Sequence, residues 1–276
     1  MNTDLLSTNL TDGIAVITLG SAKRINFDAE MVEVLTKALE EFAGDAKVRV
    51  VIITGGAPGY FVRHYSIEEL IQFSGAVRAS GREWADNATY HGLFIDRAVA
   101  LCETMPKPVI AAISGTALAG GFEFTLGCDL RIAQEGDYLI GLPEVNLALV
   151  PGAGGTQKLA RTIGTPAAVM HILMGEPLTP RDAEKVGLVH ETVNGKALDR
   201  AMEIARRMCT RTAESLAYAK RLVRNATETP LAEGLALERN LFMRLLISGK
   251  ALENMEIYSA QNETSPGRSI IVESTH

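Results

Sequence analysis

Short apolar segments alternate with helix-type segments through the first two-thirds of the chain, and this alternation constrains the fold most. Predominantly apolar runs of strand length lie at 14–19, 48–54, 109–114 and 128–133. Between the first two, from 28 to 42, apolar residues recur at helical spacing, and Asp28 suits the N-cap position. Short apolar strands separated by helices are typical of a sheet covered by helices. We therefore predict an α/β fold.

The last part of the chain, from Gly155 onward, is predicted to be almost entirely helical. Helix-type segments lie at 156–163, 167–174, 180–186, 197–210, 213–224, 231–247 and 250–259, with one possible strand at 188–193. We therefore predict a core that carries the functional site at residues 1–195 and a helical region at 196–276. Apolar residues of that region, such as Leu231, Leu235 and Leu241, exceed what a thin helical cap needs, which indicates burial against another subunit.

Charge and composition argue against several classes of protein. The 276 residues carry 27 Lys and Arg against 33 Asp and Glu, a net charge of −6, so a nucleic-acid partner is not expected. The sequence shows neither a signal peptide nor an apolar run of about 18–20 residues, so we expect a cytoplasmic protein without a membrane partner. Cys102, Cys128 and Cys209 are odd in number and form no CxxC pattern, which argues against disulfides and a metal site.

Several common catalytic motifs are missing from the sequence. It contains no G-x-S-x-G nucleophile elbow, no G-x-x-x-x-G-K-[ST] phosphate loop and no H-E-x-x-H zinc motif. The glycine-rich run at 152–155 lies late in the chain and lacks the following strand and acidic residue of a dinucleotide site. We interpret it as a tight turn.

Two glutamates in glycine-rich, apolar surroundings are the strongest candidates for chemistry. Glu123 follows the run 114–122, directly after an apolar strand and at the start of a helix, and Glu144 precedes the 151–155 turn. We therefore expect both to project from the ends of elements into a common cleft. Desolvation and mutual repulsion would push their pKa values apart, which suits one as a general acid and the other as a general base.

Gly120 and Gly121 add a second chemical feature at the start of the same helix. The first N–H groups of a helix have no acceptor within it, and the absence of a side chain permits close approach of a ligand. Backbone N–H groups in this position can stabilise an oxyanion such as an enolate.

These residues resemble the signature of the crotonase superfamily, the enoyl-CoA hydratase/isomerase family. The resemblance lies in Pro-Lys-Pro-Val-Ile-Ala-Ala-Ile-Ser-Gly at 106–115, Gly-Gly-Phe-Glu at 120–123, Cys-Asp at 128–129, Leu-Pro-Glu at 142–144 and Pro-Gly-Ala-Gly-Gly-Thr-Gln at 151–157. It implies a spiral of ββα units followed by a helical C-terminal region that assembles trimers, often paired into hexamers. A homotrimer or a dimer of trimers is therefore expected.

The resemblance also implies a reaction and the residues that carry it. Gly120 and Tyr65 match the two backbone N–H donors of an oxyanion hole, and Glu123 and Glu144 match the two catalytic acids. The expected activity is that of an enoyl-CoA hydratase-like lyase, which adds water to a 2-enoyl-CoA thioester through an enolate. CoA is then the carrier of the substrate, and no other cofactor and no metal are expected.

Departures from the family pattern lie where the carrier should bind. Arg63, His64, Tyr65 and Ser66 replace a small Ala-Gly-Ala-Asp type run, and the expected C-terminal basic element is missing. Lys23, Arg24 and Arg63 remain as candidates for contacts with the CoA phosphates.

Those departures leave alternatives open. The first is another crotonase-fold enzyme: an enoyl-CoA isomerase, a retro-aldol lyase or a CoA-independent β-diketone hydrolase, with His64 as a base or a polar ligand. The second is a catalytically idle binding protein related to the RNA-binding members of this fold. Trp84, Tyr90 and His91 are expected to pack beside the pocket rather than to bind substrate.

Overall fold

The structure, a computed structural model, describes residues 4–81 and 95–264. Trp84, Tyr90 and His91 lie outside the described residues. In the described ranges the strands are β1 (Leu6–Thr11), β2 (Ile14–Leu19), β3 (Val50–Gly55), β4 (Tyr60–Val62), β5 (Val109–Ile113), β6 (Thr116–Leu118), β7 (Leu130–Gln134), β8 (Ile140–Gly141) and β9 (Glu191–Val193). The helices are α1 (Ala29–Gly44), α2 (Ile67–Ala79), α3 (Asp96–Thr104), α4 (Gly120–Gly127), α5 (Gly155–Ile163), α6 (Thr165–Met174), α7 (Pro180–Lys185), α8 (Ala197–Cys209), α9 (Ala213–Asn225), α10 (Leu231–Leu246) and α11 (Gly249–Thr264).

The strands form two sheets that wind into a spiral. One sheet has the order β1-β2-β3-β5-β7-β9 and is parallel except for the antiparallel pair β1 and β2, and the smaller parallel sheet has the order β4-β6-β8. Along the chain, a strand of the large sheet is followed by a strand of the small sheet and then by helix, three times: β3-β4-α2, β5-β6-α4 and β7-β8-α5. This repeat confirms the α/β fold with ββα units.

Helices cover both faces of the large sheet, as its apolar strands require. Five of the six residues of β3 are buried, so neither face of that strand meets solvent. One face contributes to the main core, and the other packs against Ala197, Ala201 and Ala205 of α8. Alanines on one helical stripe let α8 approach the sheet closely. The predicted boundary at residue 195 stays a prediction, although α8 beyond it belongs to the packing of this sheet.

Local signals in the sequence account for most element ends. The side chain of Asp28 caps α1, since its Oδ1 accepts the N–H of Met31 at 2.8 Å, as predicted. Strand β1 was not predicted, because four of its six residues are polar, as suits a strand at the partly exposed edge of the sheet. The Asp12-Gly13 turn that joins it to β2 has φ of 51° and 77°, the two left-handed residues that a tight hairpin needs. The Asp-Gly dipeptide was the signal in the sequence that could have predicted this hairpin and therefore β1.

Apolar side chains remain exposed on the helices and on the turn before α5. They are Leu147, Leu149, Val150, Val169, Met170, Leu173, Met174, Val223, Leu231, Leu235, Phe242, Met243, Ile247, Leu252 and Met255. So many exposed apolar residues on several neighbouring segments are typical of a surface that binds another protein chain. No helix in the described ranges is both long and apolar enough to span a bilayer.

His190 gains a partner that the sequence did not indicate. The ring Nδ1 of His190 accepts a hydrogen bond from the backbone N–H of Arg131 at 3.1 Å, and the backbone N–H of His190 donates to the Arg131 carbonyl at 2.9 Å. These two bonds link the segment before β9 to β7. Burial lowers the pKa of His190, and the charges of Arg131 and Arg224 lower it further.

We expect the free energy of unfolding to fall as the pH decreases below about 6.5, the ordinary pKa of histidine. The folded protein then binds fewer protons than the unfolded chain, because His190 must stay neutral for Nδ1 to accept a hydrogen bond. Urea unfolding at about pH 7.5 and about pH 5.5 measures this loss. His190→Asn, which keeps an acceptor but does not titrate, should lose less stability, and an equal loss in both proteins would contradict the assignment.

Candidate active site

Glu123 lies inside a helix that has no exposed residue. All eight residues of α4 are buried, and Glu123 is 3% exposed. Its Oε1 accepts two backbone hydrogen bonds, from the N–H of Ala153 at 2.7 Å and from the N–H of Gly155 at 2.8 Å. The glycine-rich turn before α5 therefore holds this carboxylate in one orientation.

Gly155 has to be glycine for this contact to exist. A Cβ at Gly155 would lie 2.6 Å from Cβ of Pro151 and 2.8 Å from Oε1 of Glu123. Both distances are shorter than side-chain packing allows. The structure thus confirms the 152–155 run as a tight turn, and it adds a function that the sequence did not show, namely the positioning of Glu123.

The carboxylate of Glu144 is buried and has no hydrogen-bond partner in the part of the chain that the structure describes. Glu144 begins a single 3₁₀ turn, Glu144–Leu147, and is 8% exposed. Neither Oε1 nor Oε2 has a partner within residues 4–81 and 95–264. Burial raises the pKa of Glu144 to about 7, and the nearby charge of Glu123 contributes to the increase. A buried carboxyl without partners is costly and is typical of a site that binds or transfers a proton.

The two carboxyls differ in what surrounds them. Burial raises the pKa of Glu123 too, but the N–H groups of Gly155, Ala153 and Gly152 oppose this increase because they stabilise the ionised form. For Glu144 only its own backbone N–H opposes the increase in pKa, and neither carboxylate oxygen has a hydrogen-bond partner among the described residues. We therefore expect the first proton to leave Glu123 while Glu144 still holds its own.

Gly120 and Tyr65 lie side by side at the start of α4. A Cβ at Gly120 would be 3.4 Å from Cβ of Tyr65 and 3.5 Å from its backbone N. Ala119, the N-cap residue, has φ of 47°, a strained conformation for alanine. A Cβ at Gly121 would lie only 2.0 Å from the carbonyl O of Val62, so glycine is needed for α4 to approach β4. The sequence-predicted pair of N–H donors is thus brought together.

Backbone hydrogen bonds hold the segment with Tyr65 against residues 25–27. Arg63 N–H donates to Ile25, Phe27 N–H donates to His64 and Ser66 N–H donates to Phe27, at 2.8, 2.9 and 2.6 Å. The His64 carbonyl belongs to the same peptide unit as the Tyr65 N–H. A hydrogen bond accepted by that carbonyl polarises the unit and strengthens its N–H as a donor.

The side chains of Tyr65 and His64 make contacts of their own. The Tyr65 hydroxyl donates to Oε2 of Glu69 at 2.6 Å, and Glu69 also accepts the N–H of Ala29. Burial and Glu69 raise the pKa of Tyr65 above its ordinary value, so the hydroxyl keeps its proton. Nδ1 of His64 lies 2.6 Å from the Tyr65 carbonyl, so it carries a hydrogen and donates it to that oxygen. Burial lowers the pKa of His64.

The three predicted cations lie close to the backbone contact between residues 25–27 and the segment with Tyr65. Arg24 is engaged by two carboxylates, at 2.6 Å from Asp28 and 3.0 Å from Glu30. Arg63 donates through Nε to Oδ1 of Asn26 at 3.2 Å. The Lys23 side chain is exposed and forms no ion pair within the described part of the chain. Arg24 could therefore bind a phosphate only in competition with its own ion pairs.

Glu123, Glu144, Gly120 and Tyr65 thus lie close together, and the three cations lie near the Tyr65 segment. Sequence reasoning missed Asp96, in the first turn of α3, whose charge also raises the pKa of Glu123. It also missed Glu69, which lies in the first turn of α2. Across the described ranges, no three His, Cys, Asp or Glu side chains cluster closely enough to hold a metal ion.

The spiral of ββα units with two buried glutamates beside a glycine-initiated helix defines a crotonase-type enzyme. The model of the enoyl-CoA hydratase/isomerase family matches residues 9–264 of the chain. The chain therefore belongs to the enoyl-CoA hydratase/isomerase family and is an enzyme of this family.

Individual relatives agree with this assignment. YngF of Bacillus subtilis is 34% identical over 260 residues, which cover 94% of this chain and 96% of that protein. The 2,3-dehydroadipyl-CoA hydratase of Escherichia coli is 35% identical over 212 residues, with 76% and 78% covered. A crystal structure of an enoyl-CoA hydratase from Bacillus anthracis superposes with a TM-score of 0.81 at 30% identity and covers 93% of this chain and 96% of its own.

A methyl group at Gly155 should destabilise the protein, because it collides with Pro151 and displaces Oε1 of Glu123. We expect Gly155→Ala to cost about 1–3 kcal/mol, which lowers Tm by several degrees. Gly152→Ala is the matched control, since a Cβ there meets nothing within 4 Å. Thermal unfolding of both variants measures the difference, and equal Tm values would contradict the close packing at Gly155.

Proposed function

We propose that the protein hydrates a 2-enoyl-CoA thioester. The observation that carries this proposal is the pair of buried carboxyls, Glu123 and Glu144, beside the start of α4. Addition of water requires one group to remove a proton from water and another to supply a proton to carbon. A double-bond shift can proceed with a single base, so two buried carboxyls with different surroundings favour hydration.

The backbone N–H groups of Gly120 and Tyr65 bind the thioester oxygen in this proposal. Their adjacency supports it, as does the position of Gly120 in the first turn of α4, where N–H groups have no acceptor within the helix. Negative charge develops on that oxygen as the enolate forms, and the helix N-terminus favours it. In comparable sites each donor contributes about 3–4 kcal/mol to the stability of the transition state.

The two glutamates have different roles in this proposal, because their surroundings favour different protonation states. Glu123 is held as a carboxylate by the N–H groups of Ala153 and Gly155 and activates water toward Cβ. Glu144, with a pKa of about 7, is partly protonated near neutral pH and delivers its proton to Cα. An ionised Glu123 and a protonated Glu144 then coexist only over a limited pH range.

The carrier and the assembly are further parts of the proposal. Lys23 and Arg63 contact the CoA phosphates, with Arg24 available once it exchanges Asp28 or Glu30 for phosphate. The exposed apolar residues of α6, α9 and α10 support a homotrimer or a dimer of trimers. We further propose that the protein is cytoplasmic and that its partner is the acyl-CoA substrate, rather than a nucleic acid or a membrane.

Replacement of either glutamate by glutamine should reduce hydration while the fold is retained. We expect Glu144→Gln and Glu123→Gln each to lower kcat for 2-butenoyl-CoA by about 10²–10⁴-fold, because glutamine neither donates nor accepts a proton at neutral pH. Loss of the absorbance of the conjugated thioester measures the rate. Glu135→Gln is the control, since Glu135 lies on the surface in an ion pair with Arg181.

The pH profile of the wild-type enzyme tests the assignment of the proton donor. As the pH rises through about 7, Glu144 loses the proton that it must deliver, so kcat/KM should decline on the alkaline side. Wild-type activity toward a 3-enoyl-CoA but not toward 2-butenoyl-CoA would identify an isomerase instead. Calorimetry that detects no binding of CoA or acyl-CoA would favour the CoA-independent alternative.

Gly120→Pro should remove one oxyanion donor without breaking the helix. Gly120 is the first residue of α4, a position where proline is tolerated because its N–H is not needed there. We expect kcat to fall by about 10²–10³-fold. Gly120→Ala keeps the N–H and adds a methyl at an ordinary contact distance of 3.4 Å from Tyr65, so it should retain most activity. Equal activity of the two variants would refute the role of this N–H.

A further inference from the structure

A cluster of charged side chains lies at the end of α4 opposite to Gly120. We call Asp129, Lys220 and Arg224 the Asp129 cluster. Oδ1 of Asp129 accepts from Nε and Nη2 of Arg224 at 3.1 and 3.0 Å, and Oδ2 accepts from Nζ of Lys220 and the N–H of Val109, each at 2.8 Å. Both cations come from α9, in the helical C-terminal region. The cluster therefore attaches that region to the core.

The same cations also bind the C-terminal ends of two helices. Nη2 of Arg224 donates to the carbonyl of Gly127, the last residue of α4, at 2.9 Å. Nζ of Lys220 donates to the carbonyls of Cys102, in the last turn of α3, and Lys107 at 2.7 and 2.8 Å. The Lys220 side chain is only 7% exposed, so these bonds are shielded from water. Both α3 and α4 thus end at the Asp129 cluster.

The opposite ends of these two helices form part of the active site. Gly120 is the first residue of α4, and Glu123 lies in its first turn. Asp96, in the first turn of α3, acts electrostatically on Glu123. At about 1.5 Å per residue, the eight residues of α4 span about 12 Å. A helix this short transmits a displacement of one end to the other.

Helix α4 has no basic residue of its own in its last turn. Its C-terminal carbonyls are buried and need donors, and a positive charge there is favourable toward the helix dipole. Arg131 donates to the carbonyls of Thr125 and Cys128, and Arg224 donates to that of Gly127. Arg224 differs from Arg131 in that it comes from α9, a separate part of the chain, so its bond to Gly127 couples α4 to that helix.

We propose that Arg224 is a positioning residue for catalysis: through Gly127 and Asp129 it fixes α4 so that the Gly120 N–H and the Glu123 carboxylate keep their catalytic positions. The inference rests on the proposed hydration. A misplacement of reacting groups by about 1 Å can reduce a rate by about 100-fold. A residue that only attached α9 to the core would affect stability alone.

The test compares three variants on the same helix. Arg224→Gln removes the charge and the paired donors, Arg224→Lys keeps the charge, and Arg221→Gln is the matched control. Arg221 is exposed, lies in the preceding turn and forms no ion pair within the residues that the structure describes. We expect Arg224→Gln to lower kcat for 2-butenoyl-CoA by about 10- to 100-fold with little change in KM. Arg224→Lys should recover part of this loss, and Arg221→Gln should behave as wild type.

A purely structural role predicts a different result. In that case Arg224→Gln has a lower Tm than wild type but the same kcat as Arg221→Gln at a temperature where both are folded, and this outcome would overturn the proposal. If Arg224→Gln does not fold, a kcat of Arg224→Lys equal to that of wild type would overturn it as well.

A second measurement keeps this inference separate from the proposed function. Hydrogen exchange of the backbone amides of α4 needs no turnover, and we expect faster exchange in Arg224→Gln than in Arg221→Gln. A wild-type protein that hydrates no 2-enoyl-CoA would overturn the proposed function alone. Exchange in α4 that is the same in both variants would overturn the positioning role, whatever reaction the enzyme catalyses.

Discussion

The close burial of two carboxyl groups is the constraint on which the rest of the structure depends. A carboxylate removed from water is stable only if hydrogen bonds or a proton compensate for the lost hydration. The protein uses both solutions: backbone N–H groups stabilise Glu123, and a raised pKa keeps Glu144 partly protonated. The energetic cost of this arrangement has chemical value in the proposed reaction, which needs a base and an acid close together.

The spiral brings these groups together because successive ββα turns place equivalent helix starts next to one another. Helix α4 of one turn contributes Glu123 and Gly120, and the turn before α5 of the next contributes the N–H groups that bind Glu123. Strain is found at the same place, since Ala119 and Ala148, which flank the segments of the two glutamates, both have positive φ. Packing of the buried elements holds these conformations.

Sequence patterns predicted the elements whose signals are local. The apolar strand β2 and the helix after Asp28 were predicted closely, because hydrophobic period and side-chain capping act within a few residues. The three-residue strands β4 and β6 were not predicted, since a strand that short carries no period and exists only through its neighbours. Asp96 was missed for a related reason, because it acts on Glu123, which is distant in the chain. Glu69 bonds to the nearby Tyr65 as well as to the distant Ala29, so only part of its role depends on the tertiary structure.

The sequence by itself determined which groups are available for chemistry: the two glutamates, the glycines at the start of α4 and the family to which their spacing belongs. Only the tertiary structure decided what state these groups are in. Among the described residues it left the Glu144 carboxylate without a hydrogen-bond partner, paired Arg24 with Asp28 and Glu30, and placed Arg224 against the end of α4. The physical reason is that burial and electrostatic interaction depend on distances in space, and residues such as Gly127 and Arg224 become neighbours only after the chain has folded.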